Sequence, residues 1–362
     1  MNLNNMKIRL IGPRNTLGVG VHFSNFADAI RRLHGIGNCV EEVNSTSQED
    51  MLAAAARSEP TDVNICFVSI NLQPYFRGTN IQWIVFESTR VPEIVMKTML
   101  VSDLVWVPSA WGRQTLIANG KPADQVDIVP EGVDAETYHP YRVWHKSPVT
   151  RFLSIGKYEE RKSHMETLIA WSSVFGNDPS VELVIKTDHF VNVDLKKQAL
   201  SNFLNQLKIT NVRPVWDKVE STHIVDLYKS ADVFVLPSKG EGWGLPLIEA
   251  AAMGLPVVTT RYSGQEEFLQ HIESSVIAVD YDLGPITCPE FQHFYPTPDG
   301  NFGSWAMPRV ESLAQALQTA RNNVVALKQQ AVDNAEIIRE KFSWARCADR
   351  VAKTLQTRGL IR

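Results

Sequence analysis

Short apolar runs alternate with longer amphipathic runs along this chain, and the alternation occurs twice. Runs such as 7–12 (KIRLIG) and 63–70 (VNICFVSI) have the length of buried strands, while 23–33 (FSNFADAIRRL) has helical periodicity. The pattern resumes at 151–156 (RFLSIG) and continues through 232–237 (DVFVLP). Strands that alternate with helices predict a mostly parallel sheet covered on both faces, so we predict an α/β chain with two such sheets.

An aperiodic stretch with prolines at 133–150 separates the two halves and is typical of a linker. Helices are predicted to end the chain, the last at about 344–357. Ligands of open α/β sheets bind beyond the carboxyl ends of the strands. We therefore expect the chemistry in loops that follow strands and face a cleft between the two halves.

Composition excludes several function classes. With 44% hydrophobic and 21% charged residues the chain is globular, and its net charge of −4 argues against a nucleic-acid partner. No run approaches the length of a membrane helix, and the first residues lack a signal-peptide pattern. The four cysteines form no C-x-x-C pair, so we expect a reduced cytoplasmic protein without structural zinc.

A glycine-rich stretch at 238–250 (SKGEGWGLPLIEA) lies between a predicted strand and a predicted helix. Its glycines let backbone N–H groups approach a ligand, and the start of the helix favours a phosphate. Glu241 lies in the loop and Glu249 just over one turn into the helix, where carboxylates accept hydrogen bonds from sugar or ribose hydroxyls. The alternative is a glycine turn with two solvated glutamates.

Two further loops follow predicted strands. In 156–162 (GKYEERK), Lys157 and Lys162 precede a helix and can neutralise a diphosphate, although such a run is often only a solvated turn. Near the N-terminus, Gly18 and Gly20 precede a helix without completing G-x-G-x-x-G, because Phe23 stands at the third glycine position. This loop shapes the cleft or lets its backbone approach a sugar or phosphate, and nearby His22 either reaches the cleft or packs at the helix start.

In this order the motifs resemble the retaining GT-B glycosyltransferases of family four. The family pattern of Gly-(Arg/Lys)-x4-Lys followed by Glu-x7-Glu fits the two loops of the second half. Four other segments resemble the family as well: 105–116 (VWVPSAWGRQTL), 126–140 (VDIVPEGVDAETYHP, with Glu131 in place of the usual asparagine), 226–260 around the second loop, and 342–355 (FSWARCADRVAKTL). The resemblance extends over nearly the whole chain.

The resemblance implies two Rossmann-like, doubly wound domains facing a central cleft. An acceptor-side domain would cover 1–145 and a nucleotide-sugar domain 146–342, with a helix in 343–362 that crosses back to the first. The activity implied is retaining transfer of a sugar from a nucleotide-diphosphate donor to an acceptor hydroxyl, without metal or other cofactor. The acceptor, whether glycan, lipid-linked or protein, stays open. We expect a cytoplasmic protein and leave open a peripheral contact with the inner face of the membrane.

The resemblance also assigns roles to individual residues. Lys157 and Lys162 would bind the diphosphate, and Lys157 stands where arginine is more frequent, so the bidentate fork is lost. Glu249 would hold the ribose hydroxyls and Glu241 would face the donor sugar as a catalytic residue. The donor-binding set is completed by the backbone of Gly244 and Leu245 and by Gly18; the base would lie near Val215 and Trp216, a position suggested only by the order of the strands.

Glu87 departs from the common family pattern, which has a histidine after a middle strand of the first domain. The segment 81–93 (IQWIVFESTRVPE) resembles a branch of the family with W-E-(T/S)-x-R-x-P at this place, with Phe86 instead of the tryptophan, and 303–308 (GSWAMP) fits the later G-x-W-A-x-P of that branch. We hypothesise that Glu87 takes the histidine's place as a second catalytic residue. The alternative is that it pairs with Arg90 and only orders the loop.

Three other functions were weighed. A nucleotide-sugar 2-epimerase of the same fold would need an acid/base carboxylate cluster that the sequence does not show at matching positions. A non-catalytic nucleotide-sugar-binding protein is disfavoured by the complete set of glutamates and lysines. Hydride transfer is disfavoured by the missing glycine, and the single Asp-x-Asp triplet, 280–282, is predicted to be a loop and not a metal site.

Overall fold

The computed structural model describes residues 6–15, 17–72, 75–140, 148–189, 191–216 and 221–361. The predicted boundary at 145/146 lies outside these residues. The strands are β1 (Ile8–Gly12), β2 (Val40–Asn44), β3 (Val63–Cys66), β4 (Thr79–Trp83), β5 (Leu104–Val107), β6 (Val126–Ile128), β7 (Thr150–Ile155), β8 (Val181–Lys186), β9 (Val212–Val215), β10 (Val233–Val235), β11 (Val257–Thr260), β12 (Val276–Val279), β13 (Tyr281–Pro285) and β14 (Ser304–Pro308). The helices are α1 (Gly18–Arg31), α2 (Gln48–Ala56), α3 (Glu93–Val101), α4 (Ala110–Ala118), α5 (His164–Val174), α6 (Val193–Leu207), α7 (Ser221–Ser230), α8 (Leu245–Ala252), α9 (Glu266–Leu269), α10 (Pro289–Phe294), α11 (Val310–Asn322), α12 (Val324–Phe342) and α13 (Trp344–Thr357).

The chain forms two compact units. The first consists of Met1–Asp134, Pro289–Gly303 and Lys341–Arg362, and the second of Ala135–Cys288 and Ser304–Glu340. The final helix α13 therefore belongs to the first unit, and so does a segment between β13 and β14. Both units are α/β, as the alternation of apolar and amphipathic runs predicted.

The first unit contains a six-stranded parallel sheet in the order β2-β1-β3-β4-β5-β6. All residues of β3 and β5 are buried, as expected of strands covered on both faces, and the buried residues of β3 include the polar Asn64. The strand order reverses at β1, which has β2 on one side and β3 on the other. In doubly wound sheets the crevice for a ligand opens at such a reversal.

The second unit contains a six-stranded parallel sheet in the order β12-β11-β10-β7-β8-β9. Counted from β7 this is the 3-2-1-4-5-6 order of dinucleotide-binding folds, and its reversal lies between β7 and β10. The core beside it includes Phe152, Trp171 and Leu317, all fully buried. The loops that follow β7 and β10 therefore start side by side at the carboxyl edge of the sheet.

One part of the second unit differs from the sequence prediction. The Asp-x-Asp triplet at 280–282 is predicted to be a loop, but Tyr281 and Asp282 belong to β13, which forms an antiparallel pair with β14 that sets Tyr281 opposite Pro308. The prediction failed because the two strands are separated by almost twenty residues rich in proline and glycine, which hide the pairing from any local pattern. Asp282, in the Asp-x-Asp triplet, lies in β13 and pairs with Arg309 at 2.5 Å.

In the described part of the chain, no helix has the length and apolar content needed to span a membrane.

Candidate functional site

The loops after β7 and β10 bind each other directly. The backbone N–H of Lys239 donates to the carbonyl of Arg161 at 2.8 Å, and the Arg161 guanidinium donates to the carbonyl of Gly240 at 2.7 Å. Because β7 and β10 are neighbours in the sheet, the two motifs that are distant in sequence meet at the reversal of strand order.

Glu241 lies at the centre of this contact and is held by two cations. Its carboxylate Oε1 is 2.6 Å from the Lys162 ammonium and its Oε2 is 3.0 Å from the Arg161 guanidinium. Burial alone raises the pKa of this carboxyl, but the charges of Lys162 and Arg161 outweigh it and bring the pKa to about 2. Burial lowers the pKa of Lys162, and Glu241 counteracts that effect, so the short contact is best described as a desolvated ion pair.

Lys157, the second predicted diphosphate ligand, is more accessible than Lys162. Its side chain is 35% exposed, with the ammonium 3.8 Å from Glu159, whereas the Lys162 side chain is only 8% exposed. The carbonyl of Lys157 lies 3.0 Å from a ring nitrogen of His164, whose pKa burial lowers to about 4, so this imidazole is neutral and donates the bond. The backbone of Lys157 is thus fixed while its side chain reaches solvent.

The surrounding loops carry as many acids as bases. Lys239, buried in the glycine-rich loop, is 2.8 Å from Glu166 and 3.3 Å from Glu160. Together with the residues above, the set comprises four cations and four carboxylates: Lys157, Arg161, Lys162 and Lys239 with Glu159, Glu160, Glu166 and Glu241. An anionic ligand therefore has to compete with carboxylates for these cations.

The glycine-rich loop is also fixed from its other side, by the 3₁₀ turn Ser263–Gln265. The backbone N–H of Glu241 donates to the Ser263 hydroxyl at 2.8 Å, and the N–H of Gly264 donates to the carbonyl of Glu241 at 2.9 Å. A Cβ at Gly264 would collide with the carbonyl of Gly242. The loop thus depends on a backbone-to-backbone approach that only glycine permits.

Gly244 and Leu245 lie where the loop becomes helix α8. Gly244 is the N-cap, with φ 98°, a conformation that side chains other than glycine rarely adopt. It offers no side chain to the first amide groups of α8, which starts at Leu245. Pro246 has no N–H and the N–H of Leu247 donates to the carbonyl of Gly244 at 2.9 Å, so this end of α8 offers an anion the N–H of Leu245 and the partial positive charge of the helix start.

Glu249 lies in α8 and is partly exposed. Its Oε2 accepts a hydrogen bond of 2.8 Å from the hydroxyl of Tyr228, which is fully buried in α7. The same hydroxyl lies 3.1 Å from the carbonyl of Pro246. Glu241 and Glu249 therefore have different surroundings: the first is buried between cations, the second is anchored by a neutral hydroxyl.

In the first unit, Gly18 and Glu87 lie at the ends of different strand–helix connections. Gly18 starts α1, and a Cβ placed there would meet nothing within 4 Å, so local packing does not require glycine. Glu87 is partly buried in the loop after β4, where Asn119 donates to the carbonyl of Thr89. Arg90, the partner considered for Glu87, donates instead to Asp299 at 2.6 Å.

His22 is buried and packs at the start of α1, which is one of the two alternatives considered for it in the sequence. Its ring lies edge-on to Trp83, with 4.4 Å between centroids, and is stacked on Trp344 at 5.6 Å. Its Nδ1 is 3.5 Å from a carboxylate oxygen of Glu131, which is also buried. Burial raises the pKa of Glu131 to about 8 and lowers that of His22 to about 3, so at pH 7 both are neutral.

Two other features of the described residues bear on ligands. Among these residues, no group of three or more His, Cys, Asp or Glu side chains is arranged to hold a metal ion. A cavity of about 630 Å³ in the first unit is lined by the ends of β1 and β2 and by one side of α2, including Arg14, Glu42 and Asn44. Neither Gly18 nor Glu87 lines it.

Comparison with known proteins finds a family match within the second unit. Residues 145–283, less than half of the chain, match the family described as glycosyl transferases group 1. This match includes both loops of the site and helix α8.

Curated relatives match parts of the chain. They include the serotype-specific mannosyltransferase WbdA of Escherichia coli, 33% identical over 30% of this chain and 13% of its own length. The sulfoquinovosyl transferase SQD2 of Arabidopsis thaliana is 29% identical over 45% of this chain and 31% of its own. The D-inositol 3-phosphate glycosyltransferase of Segniliparus rotundus is 24% identical over 62% of this chain and 45% of its own length. The chain thus spans less than half the length of these relatives.

Solved structures resemble the whole chain in fold. HepE of Anabaena in complex with UDP and glucose has a TM-score of 0.71 at 15% identity, covering 97% of this chain and 100% of that one. A glycosyltransferase from Rickettsia africae has a TM-score of 0.72 at 14% identity and covers 98% of both chains. At such identities the likeness concerns the fold, which is the GT-B fold of two Rossmann-like domains.

Three residues that the structure places at this site were not identified from the sequence. Arg161 binds Glu241, Ser263 binds the loop backbone, and Tyr228 binds Glu249. Arg161 lies inside the quoted GKYEERK motif and was passed over in favour of the two lysines. For Tyr228 and Ser263 no local signal exists, because their contacts cross between secondary-structure elements.

Proposed function

We propose that the protein transfers a sugar from a nucleoside-diphosphate donor to a hydroxyl of an acceptor, with retention of the anomeric configuration. The observation that carries the proposal is the meeting of the loops after β7 and β10, which brings Lys162, Arg161 and Glu241 to the start of α8. The group 1 match and the complexes of Anabaena HepE with UDP and with UDP-glucose support it. The named relatives are all sugar transferases or glycosyltransferases.

In the proposed reaction the bond between the anomeric carbon and the diphosphate oxygen breaks, and the nucleoside diphosphate leaves with the electron pair. The acceptor oxygen forms the new bond on the face from which the diphosphate departs, as retention requires, and the hydroxyl proton passes to the leaving diphosphate. Negative charge grows on the leaving diphosphate, so cations that are already in place stabilise the transition state more than the ground state. Lys157, Lys162 and the start of α8 are assigned this role, without a metal ion.

The balanced charges suggest how the donor enters. Lys157 is weakly paired and partly exposed, so it meets the diphosphate first. Lys162 then exchanges its contact with Glu241 for one with a phosphate oxygen, while Arg161 retains the other carboxylate oxygen. Glu241 thereby becomes available to the hydroxyls of the donor sugar, and Glu249 to those of the ribose.

The experiment has a binding stage and a turnover stage. UDP, GDP and ADP are first compared by thermal shift, because a nucleotide that binds the folded state raises Tm by mass action. The matching sugar nucleotides, labelled in the sugar, are then incubated with mixed hydroxyl acceptors, and products are analysed for transfer and for anomeric configuration. Transfer with retention supports the proposal, whereas an epimerised donor or binding without turnover contradicts it.

Matched variants connect the activity to the site. Lys162→Met should abolish most transfer, because it removes a buried cation that faces the leaving group. Lys353→Met, on the exposed side of α13, removes a lysine away from the site and should leave transfer unchanged. Glu87→Gln tests the second catalytic assignment, and turnover near that of the wild type would remove Glu87 from it.

A further inference from the structure

Tyr228 links helix α7, in which it lies, to helix α8 through a side-chain hydrogen bond. It lies near the end of α7 and is fully buried, with its ring 5.8 Å from that of Phe234 in β10 and 5.8 Å from that of Tyr138. Its hydroxyl emerges from this aromatic packing at the first turns of α8, where it meets the carboxylate of Glu249 and the carbonyl of Pro246. The ring anchors the hydroxyl, and the hydroxyl reaches the helix.

The hydroxyl acts as a permanent donor. Burial, and after it the nearby charge of Glu249, raise the pKa of Tyr228 well above its usual value, so the proton stays on the phenol throughout the neutral range. A phenol has one proton to donate, and the shorter contact, 2.8 Å, is to the carboxylate. A hydrogen bond to a charged acceptor is also stronger than one to a neutral carbonyl.

A glutamate side chain that is not held in this way samples many rotamers, and fixing it on ligand binding costs conformational entropy. The bond to Tyr228 fixes the orientation of the Glu249 carboxylate before a ligand arrives. Preorganisation of this kind increases affinity without adding any contact to the ligand.

We propose that Tyr228 is a positioning residue, which holds the Glu249 carboxylate in the orientation that receives the ribose hydroxyls of the donor nucleotide. The inference rests on the proposed function, because it takes Glu249 as the ribose ligand. It adds a determinant of specificity: the preference for ribose over deoxyribose nucleotides depends on a residue that does not touch the nucleotide.

The test compares UDP with 2′-deoxy-UDP and 3′-deoxy-UDP by isothermal titration calorimetry, in the wild type and in Tyr228→Phe. If thermal shift shows that GDP or ADP binds more tightly, its deoxy analogues replace those of UDP. Phenylalanine keeps the buried ring and removes only the hydroxyl. We expect about tenfold weaker binding of the ribonucleotide, because the Glu249 side chain must then be ordered when the ligand binds, and little change for the deoxy analogues. The ribose preference therefore shrinks by about the same factor.

Three controls separate positioning from a structural effect. If Tyr228→Phe merely loosens the unit, ribo- and deoxyribonucleotides weaken equally, and the inference is overturned. Tyr281→Phe removes a hydroxyl from β13 of the same unit and should leave the ribose preference unchanged. In the Glu249→Ala background, Tyr228→Phe should have no further effect on the preference, because its route to the ribose is already removed.

The failure of the inference is distinct from that of the proposed function. A wild-type protein that binds no nucleoside diphosphate contradicts the function, and the inference falls with it. A wild-type protein that prefers ribose, and whose Tyr228→Phe variant keeps the whole preference, contradicts the inference alone. A wild-type protein that binds the nucleotide but ignores the ribose hydroxyls removes Glu249 from its assigned role and Tyr228 with it.

Discussion

Replacing Glu131 with glutamine should change how the first unit responds to pH. Glu131 is 3% exposed and lies 3.5 Å from Nδ1 of His22, at the place where Trp344 of α13 stacks on the His22 ring. Burial raises the pKa of Glu131 from 4.5 to about 8. The folded protein therefore holds a proton that the unfolded chain releases near pH 4.5.

The sign of the effect follows from that difference. A carboxyl whose pKa is raised on folding contributes its full stability below pH 4.5, and this contribution is lost as the pH rises through about 8. His22 has the opposite dependence, because its lowered pKa contributes stability above pH 6.5 that is lost as the pH falls through about 3. Between pH 6.5 and 8, only the Glu131 contribution changes.

The magnitude over this window is on the order of 2 kcal/mol, since each pH unit corresponds to about 1.4 kcal/mol for one proton bound in the folded state alone. This is a large share of the 5–15 kcal/mol that typically separates folded from unfolded domains. Glu131→Gln keeps the shape and the neutral character of the protonated acid, so it should remove this pH dependence.

The measurement is urea unfolding of the wild type and of Glu131→Gln at pH 6.5 and pH 8, with hydrogen exchange of peptides from α1 and α13 to localise the effect. We expect the wild type to lose stability toward pH 8, and the variant to keep it. Other titrating groups are common to both proteins and cancel in the difference. Equal pH dependence in the two proteins would refute the assignment of a buried, protonated Glu131.

Three further predictions concern the second unit. Lys162→Met should lower the free energy of unfolding by about 2–3 kcal/mol, measured by urea unfolding. This is near the low end for a broken buried ion pair, because Arg161 still holds the Glu241 carboxylate. The double variant with Glu241→Gln should recover much of that loss. Gly264→Ala should weaken nucleotide binding and lower Tm, because the added methyl group displaces the glycine-rich loop. A nucleotide Kd equal to that of the wild type, measured by titration calorimetry, would contradict the role of this loop contact. Arg309→Gln should leave Tm unchanged, since its pair with Asp282 is exposed to solvent and screened.

Much of the fold was predictable because the strand signals are local. The apolar runs that became β7 and β10, and the helix predicted at 344–357 that became α13, follow from periodicity alone. The positions of Lys162 and Glu241 in loops after strands were predictable too, since the carboxyl edge of a parallel sheet collects such loops. Their contact at 2.6 Å required the strand order, which places β7 beside β10.

The contacts between elements were not predictable from local patterns. Tyr228 lies in a helix whose sequence gives no sign that its hydroxyl reaches Glu249, and the contact depends on how α7 and α8 pack on the sheet. Likewise, the glutamate at position 131 in place of the usual asparagine was visible, but its burial against His22 depends on α13 packing against α1. The β13–β14 pair was missed because its partners lie on either side of a long insertion.

The division of the chain between the two units has a consequence for synthesis on the ribosome. The first unit includes Lys341–Arg362, which follow both sheets in the chain, while every residue of the second unit precedes them. Domains generally fold as units, and the N-terminal one first, as the nascent chain emerges. Here the second unit is complete while the first still lacks α13 and the Trp344 ring that covers His22. Until α13 emerges, the face of α1 that it covers, with the His22 ring, stays exposed in the nascent protein, and chaperones that bind apolar surface can reach it.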